Sequence, residues 1–208
     1  MAKQMAFYFD ARACTACKAC QAACMDRANL DEEARWRRLI QYGGGSWVPH
    51  GNTMVPNHIF NYALSISCMH CENPICVTVC PTLALYKRPE DGIVLVDASK
   101  CIGCRYCEWA CPYGAPQFDQ VTGVMSKCDF CQDLLAKGEN PTCVDACVMR
   151  CLDFGDLEEL RAKYGSFNEI APLPKSDLTG PSFVVTPHKH AEVSGSETGK
   201  IINLPEEM

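Results

Sequence analysis

The chain has 208 residues, enough for one or two domains, and its 17 cysteines are far above ordinary usage. Its formal net charge of −6 argues against nucleic acid as a partner. No run approaches about 18 consecutive apolar residues, so we expect no transmembrane helix. Residues 1–10 also lack the basic start and long apolar run of a signal peptide.

The first predicted elements are a short strand and a cysteine-rich loop. Residues 6–9 read as a strand, and Asp10 follows them, where we expect it to cap free N–H groups of the loop. The loop carries a first cysteine quartet with the spacing C-x2-C-x2-C-x3-C, which consists of Cys14, Cys17, Cys20 and Cys24. Apolar residues among charges then predict a helix over residues 25–38.

A long passage separates this quartet from the next one. Glycines at 43, 44 and 45 indicate a flexible turn, and residues 59–67 read as a strand. Because the passage is too long for a simple connector, we interpret residues 38–67 as an inserted, hairpin-like element on the surface. It would shield a cofactor, contact a partner or only pack on its own domain.

Two further quartets follow at short separation. The second consists of Cys68, Cys71, Cys76 and Cys80, and the third of Cys101, Cys104, Cys107 and Cys111. His70 lies between the first two cysteines of the second quartet. We expect its side chain to be exposed, the alternatives being a bond to a cofactor or contact with a redox partner. Residues 93–96 and Asp97 repeat the strand–Asp–x3–Cys phrase of the N-terminus.

The last quartet is the most widely spaced. It consists of Cys128, Cys131, Cys143 and Cys147, and it leaves Cys151 as the odd cysteine. We expect Cys151 to be a buried thiol beside the last cofactor. Residues 156–163 read as a short helix. Residues 166–208 show little periodicity, which predicts an extended arm that orders along another protein or remains disordered.

The third quartet, followed by Pro112, has the ligand spacing of bacterial-type [4Fe–4S] ferredoxins. Three thiolates two residues apart let one loop wrap three corners of an Fe4S4 cube, and Gly103 lets the backbone come close. Zinc prefers two separated cysteine pairs per ion, and disulfides suit short secreted chains. The quartets therefore predict four [4Fe–4S] clusters held by sixteen cysteines. We find no residues arranged for acid–base or nucleophilic catalysis.

With its four quartets, the chain resembles the four-cluster iron–sulfur subunit of the dimethyl sulfoxide reductase type of molybdopterin oxidoreductases. The likeness extends over nearly the whole length. Besides the cysteines themselves, the phrases that carry it are Phe9-Asp10, Ser67-Cys68-Met69-His70-Cys71, Cys111-Pro112-Tyr113-Gly114-Ala115-Pro116, Lys127-Cys128-Asp129 and Ala171-Pro172-Leu173-Pro174. Two positions depart from the family pattern: Val148 stands where proline is usual, and Cys151 where a small non-ligand residue is expected.

The resemblance implies how the cysteines are shared among clusters. The implied groups are Cys14, Cys17, Cys20 with Cys147; Cys68, Cys71, Cys76 with Cys111; Cys101, Cys104, Cys107 with Cys80; and Cys128, Cys131, Cys143 with Cys24. The implied fold is α+β, with two ferredoxin-like domains, the inserted hairpin and the C-terminal arm. Residues 1–50 with 112–165 would form the outer domain, 51–111 the inner domain and 166–208 the arm.

The resemblance also implies a role. The chain would be a non-catalytic subunit that relays single electrons between a membrane quinol-oxidising subunit and a large molybdopterin subunit containing molybdenum or tungsten. Since we find no signal, the complex would reach the outer face of the cytoplasmic membrane by export with a partner, or would stay cytoplasmic. The alternative function is a free-standing polyferredoxin that shuttles electrons between soluble enzymes.

Overall fold

Residues 3–204 are described by a computed structural model, and they combine short helices with short strands, which confirms the α+β class. The strands are β1 Met5–Asp10, β2 Arg38–His50, β3 Thr53–Ile66, β4 Leu85–Lys87, β5 Val94–Val96, β6 Gln117–Phe118, β7 Met125–Ser126, β8 Leu152–Asp156, β9 Phe183–Thr186 and β10 Gly199–Ile201. The helices are α1 Ala19–Arg27, α2 Ile75–Thr78, α3 Tyr106–Ala110, α4 Gln132–Leu135, α5 Thr142–Asp145 and α6 Leu157–Tyr164. Within residues 3–204, no helix is both long and apolar enough to cross a membrane.

Strand β1 is the centre of a three-stranded sheet. It pairs antiparallel with β8 and parallel with β9. Because successive side chains of a strand point to opposite faces, Phe7 and Phe9 enter the main core, whereas Ala6 and Tyr8 face helix α6. The ring of Tyr8 stacks on that of Tyr164, with the centroids 3.6 Å apart. Both faces of β1 are therefore buried, which explains its nearly continuous apolar sequence.

The inserted element is a long antiparallel hairpin, as the sequence predicted, but the turn predicted at glycines 43–45 is wrong: these residues lie within β2, and the chain turns at Gly51 and Asn52. Strands β2 and β3 pair from Arg38 and Ile66 at the base to the far turn, with a register shift beside Gly45. Gly45 has φ +109°, and a Cβ there would lie 2.5 Å from the carbonyl oxygen of His58, so the bulge requires glycine. The base contributes fully buried side chains such as Leu64, whereas residues 45–54 are exposed.

The helix predicted over residues 25–38 is wrong in its position. Helix α1 begins at Ala19, inside the first quartet, and ends at Arg27. Asn29 then takes a left-handed backbone with φ 47°, and the carboxylate of Asp31 accepts the N–H group of Ala34 at 3.1 Å. This local side-chain bond competes with helical hydrogen bonds, so the chain turns before it enters β2.

The C-terminal arm is extended, as expected, and it is ordered by pairing with strands of its own chain. Strand β9 pairs with β1, and β10 pairs with β2. Ile170 and Ala171 are fully buried in the main core, and Ala171 accepts the hydroxyl of Tyr62 through its carbonyl oxygen at 2.7 Å. The apolar run of β9 completes the sheet edge that β1 would otherwise expose, so the arm is part of the body.

Candidate iron–sulfur sites

The loops of the first and third quartets have the same local construction. Lys18 and Arg105 each follow the second cysteine of a quartet, and both adopt a left-handed backbone, with φ 61° and 63°. Each residue directly precedes the helix that carries the third cysteine of its quartet, α1 in one case and α3 in the other. The backbone conformation thus repeats with the sequence motif, and such turns direct successive N–H groups towards a bound anionic group.

The aspartates that precede these loops cap them as predicted. Asp10 accepts the N–H group of Arg12 at 2.9 Å, and Asp97 accepts that of Ser99 at 3.0 Å. Asp10 also pairs with the exposed guanidinium of Arg12, 2.8 Å away. The role of both carboxylates is structural, because they fix the start of each cysteine loop.

Cysteines of the first and fourth quartets meet around one internal cavity. The cavity is small, with a volume of about 10 Å3. Its cysteines are Cys24, Cys128, Cys131 and Cys143. Helix α1 supplies the first of them and helix α5 the last, and these two helices pack together. We call this space cavity A.

A second cavity joins the same two quartets. It has a volume of about 20 Å3, and the quartet cysteines that line it are Cys14, Cys17, Cys20 and Cys147. Cys151 also lines it, and only 1% of its surface is exposed, in agreement with the predicted buried thiol. The N–H group of Cys151 points at the Sγ atom of Cys147, 3.2 Å away. We call this space cavity B.

The second quartet gathers with one cysteine of the third. Burial raises the pKa of Cys76 to about 12, with further increases from the neighbouring Cys68, Cys111 and Cys71. Burial also raises the pKa of Cys71 to about 12, again with Cys68 and Cys111 as neighbours. The N–H group of Ala115 points at the Sγ atom of Cys111, 3.5 Å away. These four thiols therefore interact as one group.

The remaining cysteines surround a small apolar cluster. Cys107 is buried in it, and Cys80 and Cys101 pack against it. Burial raises the pKa of Cys107 to about 11, with smaller increases from Cys101 and Cys104. The N–H group of Met125 points at the Sγ atom of Cys101, 3.3 Å away. The cluster thus brings the last cysteine of the second quartet together with two cysteines of the third.

The donor set suits an iron–sulfur cofactor. All 17 cysteines have free thiols, and burial raises the pKa of several, for example that of Cys24 to about 12. A buried thiol of this kind stays protonated unless a metal replaces its proton, so metal binding and folding are coupled. Among residues 3–204, no three His, Cys, Asp or Glu side chains are arranged to hold a single metal ion. In cavities A and B, four quartet thiols instead line one shared space.

His70 is buried, so the expectation of an exposed side chain is wrong. Only 1% of its surface is exposed, and its Nδ1 atom accepts the N–H group of Val94 at 3.0 Å. Burial lowers the pKa of His70 well below its usual value, and the nearby Lys127 lowers it further. The imidazole is thus a neutral member of the core that connects the second-quartet loop with β5.

Arg37 is a second buried residue near the cysteines, and sequence reasoning did not predict its burial. Only 1% of its surface is exposed, and it lines cavity A. Its guanidinium lies over the ring of Phe7, 4.5 Å from the centroid. The dipeptide Arg37-Arg38 suggests only an ordinary charged surface, and no local pattern announces a buried cation.

Comparison with known protein families supports the iron–sulfur chemistry. Residues 59–157 match the family model described as a 4Fe-4S dicluster domain. The chain is 47% identical over 206 residues to the B subunit of anaerobic dimethyl sulfoxide reductase from Escherichia coli, covering 99% of this chain and 100% of that protein. The identity to the subunit of the same name from Haemophilus influenzae is 48% over 201 residues, covering 97% and 98%.

This protein belongs to the family of dimethyl sulfoxide reductase B subunits. It is also 41% identical over 160 residues to the thiosulfate reductase electron transfer subunit of Salmonella typhi, covering 76% of this chain and 79% of that protein. Members of the family are electron-transfer subunits of reductases and not their catalytic subunits. Accordingly, this chain is an electron-transfer subunit, and its cofactors are [4Fe–4S] clusters, four by the number of its cysteine quartets.

Proposed function

We propose that sixteen cysteines hold the four clusters in four groups. The groups are Cys24, Cys128, Cys131, Cys143; Cys14, Cys17, Cys20, Cys147; Cys68, Cys71, Cys76, Cys111; and Cys80, Cys101, Cys104, Cys107. The first two groups are supported by cavities A and B, which they line. The third is supported by the mutual effects of its thiols on their pKa values. The fourth is supported by the apolar cluster that three of its members share.

The proximity of neighbouring groups supports a relay through the subunit. Cys20 of cavity B interacts electrostatically with Cys143 of cavity A. Cys128 of cavity A likewise interacts with Cys68 of the third group. Cys76 of that third group lies in the same apolar cluster as Cys107 of the fourth. When bound, [4Fe–4S] clusters supply one-electron chemistry. The chain's own part is to hold them in this order, exclude water and direct N–H groups at their thiolates.

The partners in this proposal are the other subunits of a reductase complex. A large molybdopterin subunit, with molybdenum or tungsten, carries out the reduction, and a membrane subunit oxidises the quinol. The complex lies on the outer face of the cytoplasmic membrane, carried there by a partner with an export signal. The observation that supports these assignments is the likeness to the B subunit of dimethyl sulfoxide reductase over nearly the full length of both proteins.

The predicted domain division remains part of this proposal. Residues 1–50 and 112–165 would support the clusters of cavities A and B, and residues 51–111 would support the other two. Limited proteolysis of the iron-loaded complex tests the division. We expect residues 51–111 to be protected as one fragment. A cut that separates Cys68 from Cys111 would argue against the domain division.

Anaerobic purification of the tagged chain from its own host tests the proposed complex. We expect a large subunit with molybdenum or tungsten, a membrane subunit, and clusters that are reduced when a quinol is added. A chain that purifies alone with its full iron, and that soluble enzymes reduce, would instead support the free polyferredoxin. Protease treatment of intact spheroplasts then tests the location, since a complex on the outer face is digested and a cytoplasmic one is protected.

A further inference from the structure

Arg37 is a cation in the protein interior without a carboxylate partner. Only 1% of its surface is exposed, and within residues 3–204 it forms no ion pair with Asp or Glu. Its Nη1 atom donates to the carbonyl and hydroxyl oxygens of Ser65, at 3.3 and 3.2 Å. Its Nη2 atom donates to the hydroxyl of Ser67 at 3.1 Å. Its Nε atom has no hydrogen-bond partner among the described residues.

Burying an unpaired charge is costly, so an anion is needed to compensate it. Four cysteines of the first and fourth quartets lie close enough to the guanidinium to interact with its charge. These neighbours are Cys143, Cys20, Cys128 and Cys24. Three of them line cavity A, and Cys20 lines cavity B. When clusters bind in the two cavities, their cysteine ligands become thiolates and supply the negative charge that compensates Arg37.

Arg37 reaches the two cavities by different routes. Its side chain lines cavity A directly. It approaches cavity B through Ser65, whose hydroxyl lies 3.2 Å from Arg37 Nη1 and 3.3 Å from the Sγ atom of Cys20. Ser65 itself lines cavity B. The same guanidinium is thus linked to both thiolate sets, one by contact and one through a hydroxyl.

Other cations near the cysteines differ from Arg37. Arg105 is largely exposed and pairs with Glu108, 2.7 Å away, and Lys100 pairs with Asp97 at 2.9 Å. Lys127 is buried, but its Nζ atom donates to the carbonyl oxygens of Val94 and Cys128. Arg37 is distinguished from these three by its position between two cysteine-lined cavities.

We propose that Arg37 is a positioning residue that raises the reduction potentials of both clusters held in cavities A and B. A fixed positive charge favours the more negative, reduced state of a neighbouring cluster, and the low dielectric of the interior strengthens this effect. The proposal rests on the assignment of clusters to these cavities. It adds that one cation adjusts two neighbouring members of the relay together.

The test is a redox titration of the purified complex, followed by electron paramagnetic resonance. Arg37→Met removes the charge but keeps much of the side-chain volume, and Arg37→Lys keeps the charge. Arg161→Met is the matched control, since Arg161 is partly exposed, pairs with Glu158 and lines neither cavity. Cys14→Ser and Cys131→Ser variants identify the signals of the clusters in cavities B and A.

We expect Arg37→Met to lower the equilibrium constant for one-electron reduction of both clusters by about tenfold, which corresponds to about 59 mV. Arg37→Lys and Arg161→Met keep both potentials near those of the unchanged complex. Ser65→Ala lowers the potential of the cavity B cluster alone. Unchanged potentials in Arg37→Met, or an equal decrease in Arg37→Lys, would overturn the proposal.

If Arg37→Met does not assemble, Arg37→Lys and Ser65→Ala decide the matter. The proposal is supported if Arg37→Lys keeps both reduction potentials and Ser65→Ala lowers only that of the cavity B cluster. Any other pattern overturns it. Failure of the cluster assignment is recognised separately, because Cys14→Ser and Cys131→Ser would then leave both cluster signals unchanged. A loaded chain whose potentials do not depend on Arg37 would leave the electron-transfer function intact.

Discussion

The Nδ1 atom of His70 accepts the backbone N–H group of Val94 at 3.0 Å, inside the core. This bond joins the loop of the second quartet to strand β5, which leads through Asp97 into the loop of the third. The backbone carbonyl of His70 also accepts the amide of Gln4 and the hydroxyl of Ser182, each at 3.0 Å. One residue therefore ties together the N-terminus, two cysteine loops and the C-terminal arm.

Replacing His70 tests the importance of this connection. His70→Leu fills much of the same space but leaves the N–H group of Val94 buried without an acceptor, so we expect a loss of about 1–3 kcal/mol in the free energy of unfolding. His70→Gln offers a side-chain oxygen and is expected to lose less. Thermal unfolding of the iron-loaded chain measures both. Equal midpoints for the two variants would show that the hydrogen bond contributes nothing.

Cys104→Ser and Cys151→Ser separate ligand from non-ligand cysteines. We expect Cys104→Ser to lose between about one and four irons per chain, because a cube that lacks one thiolate loses an iron or the whole cluster. Its thermal unfolding should also shift to lower temperature, since metal binding contributes to folding. Cys151→Ser should keep the full iron content. If the Cys151→Ser variant lost iron, Cys151 would be a ligand of the cluster in cavity B.

The outer half of the β2–β3 hairpin is expected to be dispensable for folding. Residues 45–54 are exposed, so replacing residues 47–56 by an Asn-Gly turn should keep both the iron content and the unfolding midpoint. Leu64→Ala at the buried base is the contrasting variant, with an expected cost of about 2–5 kcal/mol. Loss of iron on trimming the tip would mean that the tip protects a cluster.

The C-terminal arm should contribute strongly to stability. Ile170 is fully buried in the main core, so Ile170→Ala is expected to cost about 2–5 kcal/mol. Val193 lies in the same arm but is 65% exposed, so Val193→Ala should change the stability by no more than about 0.5 kcal/mol. Denaturant unfolding of the two variants compares them. Equal effects would indicate that the arm is not part of the folded body.

The cysteine chemistry could be predicted from the sequence because ligand spacing is a local property. The matched turns at Lys18 and Arg105 follow from the repeated motif itself. The hairpin was predictable for a similar reason, since its strand residues are neighbours in the chain, but its turn was misplaced because glycines 43–45 form a bulge within β2. The grouping of thiols around cavities A and B could not be worked out from spacing. It joins Cys24 to Cys143 across more than half of the chain, and only the resemblance to a family suggested it.

The errors concern burial that depends on distant contacts. His70 looks like a surface residue in a polar loop, but Val94 and the arm cover it. Arg37 stands in a run of charges, and only the packing of the hairpin base places it between two cavities. The predicted helix over residues 25–38 followed apolar periodicity that arises from scattered core contacts. Asp31 and Asn29 instead specify a turn there.

The central claim, that this subunit carries four [4Fe–4S] clusters, is tested most directly by metal and sulfide analysis. The tagged chain would be purified without oxygen from its own host and analysed for iron, acid-labile sulfide, zinc and molybdenum or tungsten. We expect about sixteen irons and as many sulfides per chain, with the heavier metal in a large subunit that purifies with it. Zinc without iron would contradict the account from the cysteine quartets onward.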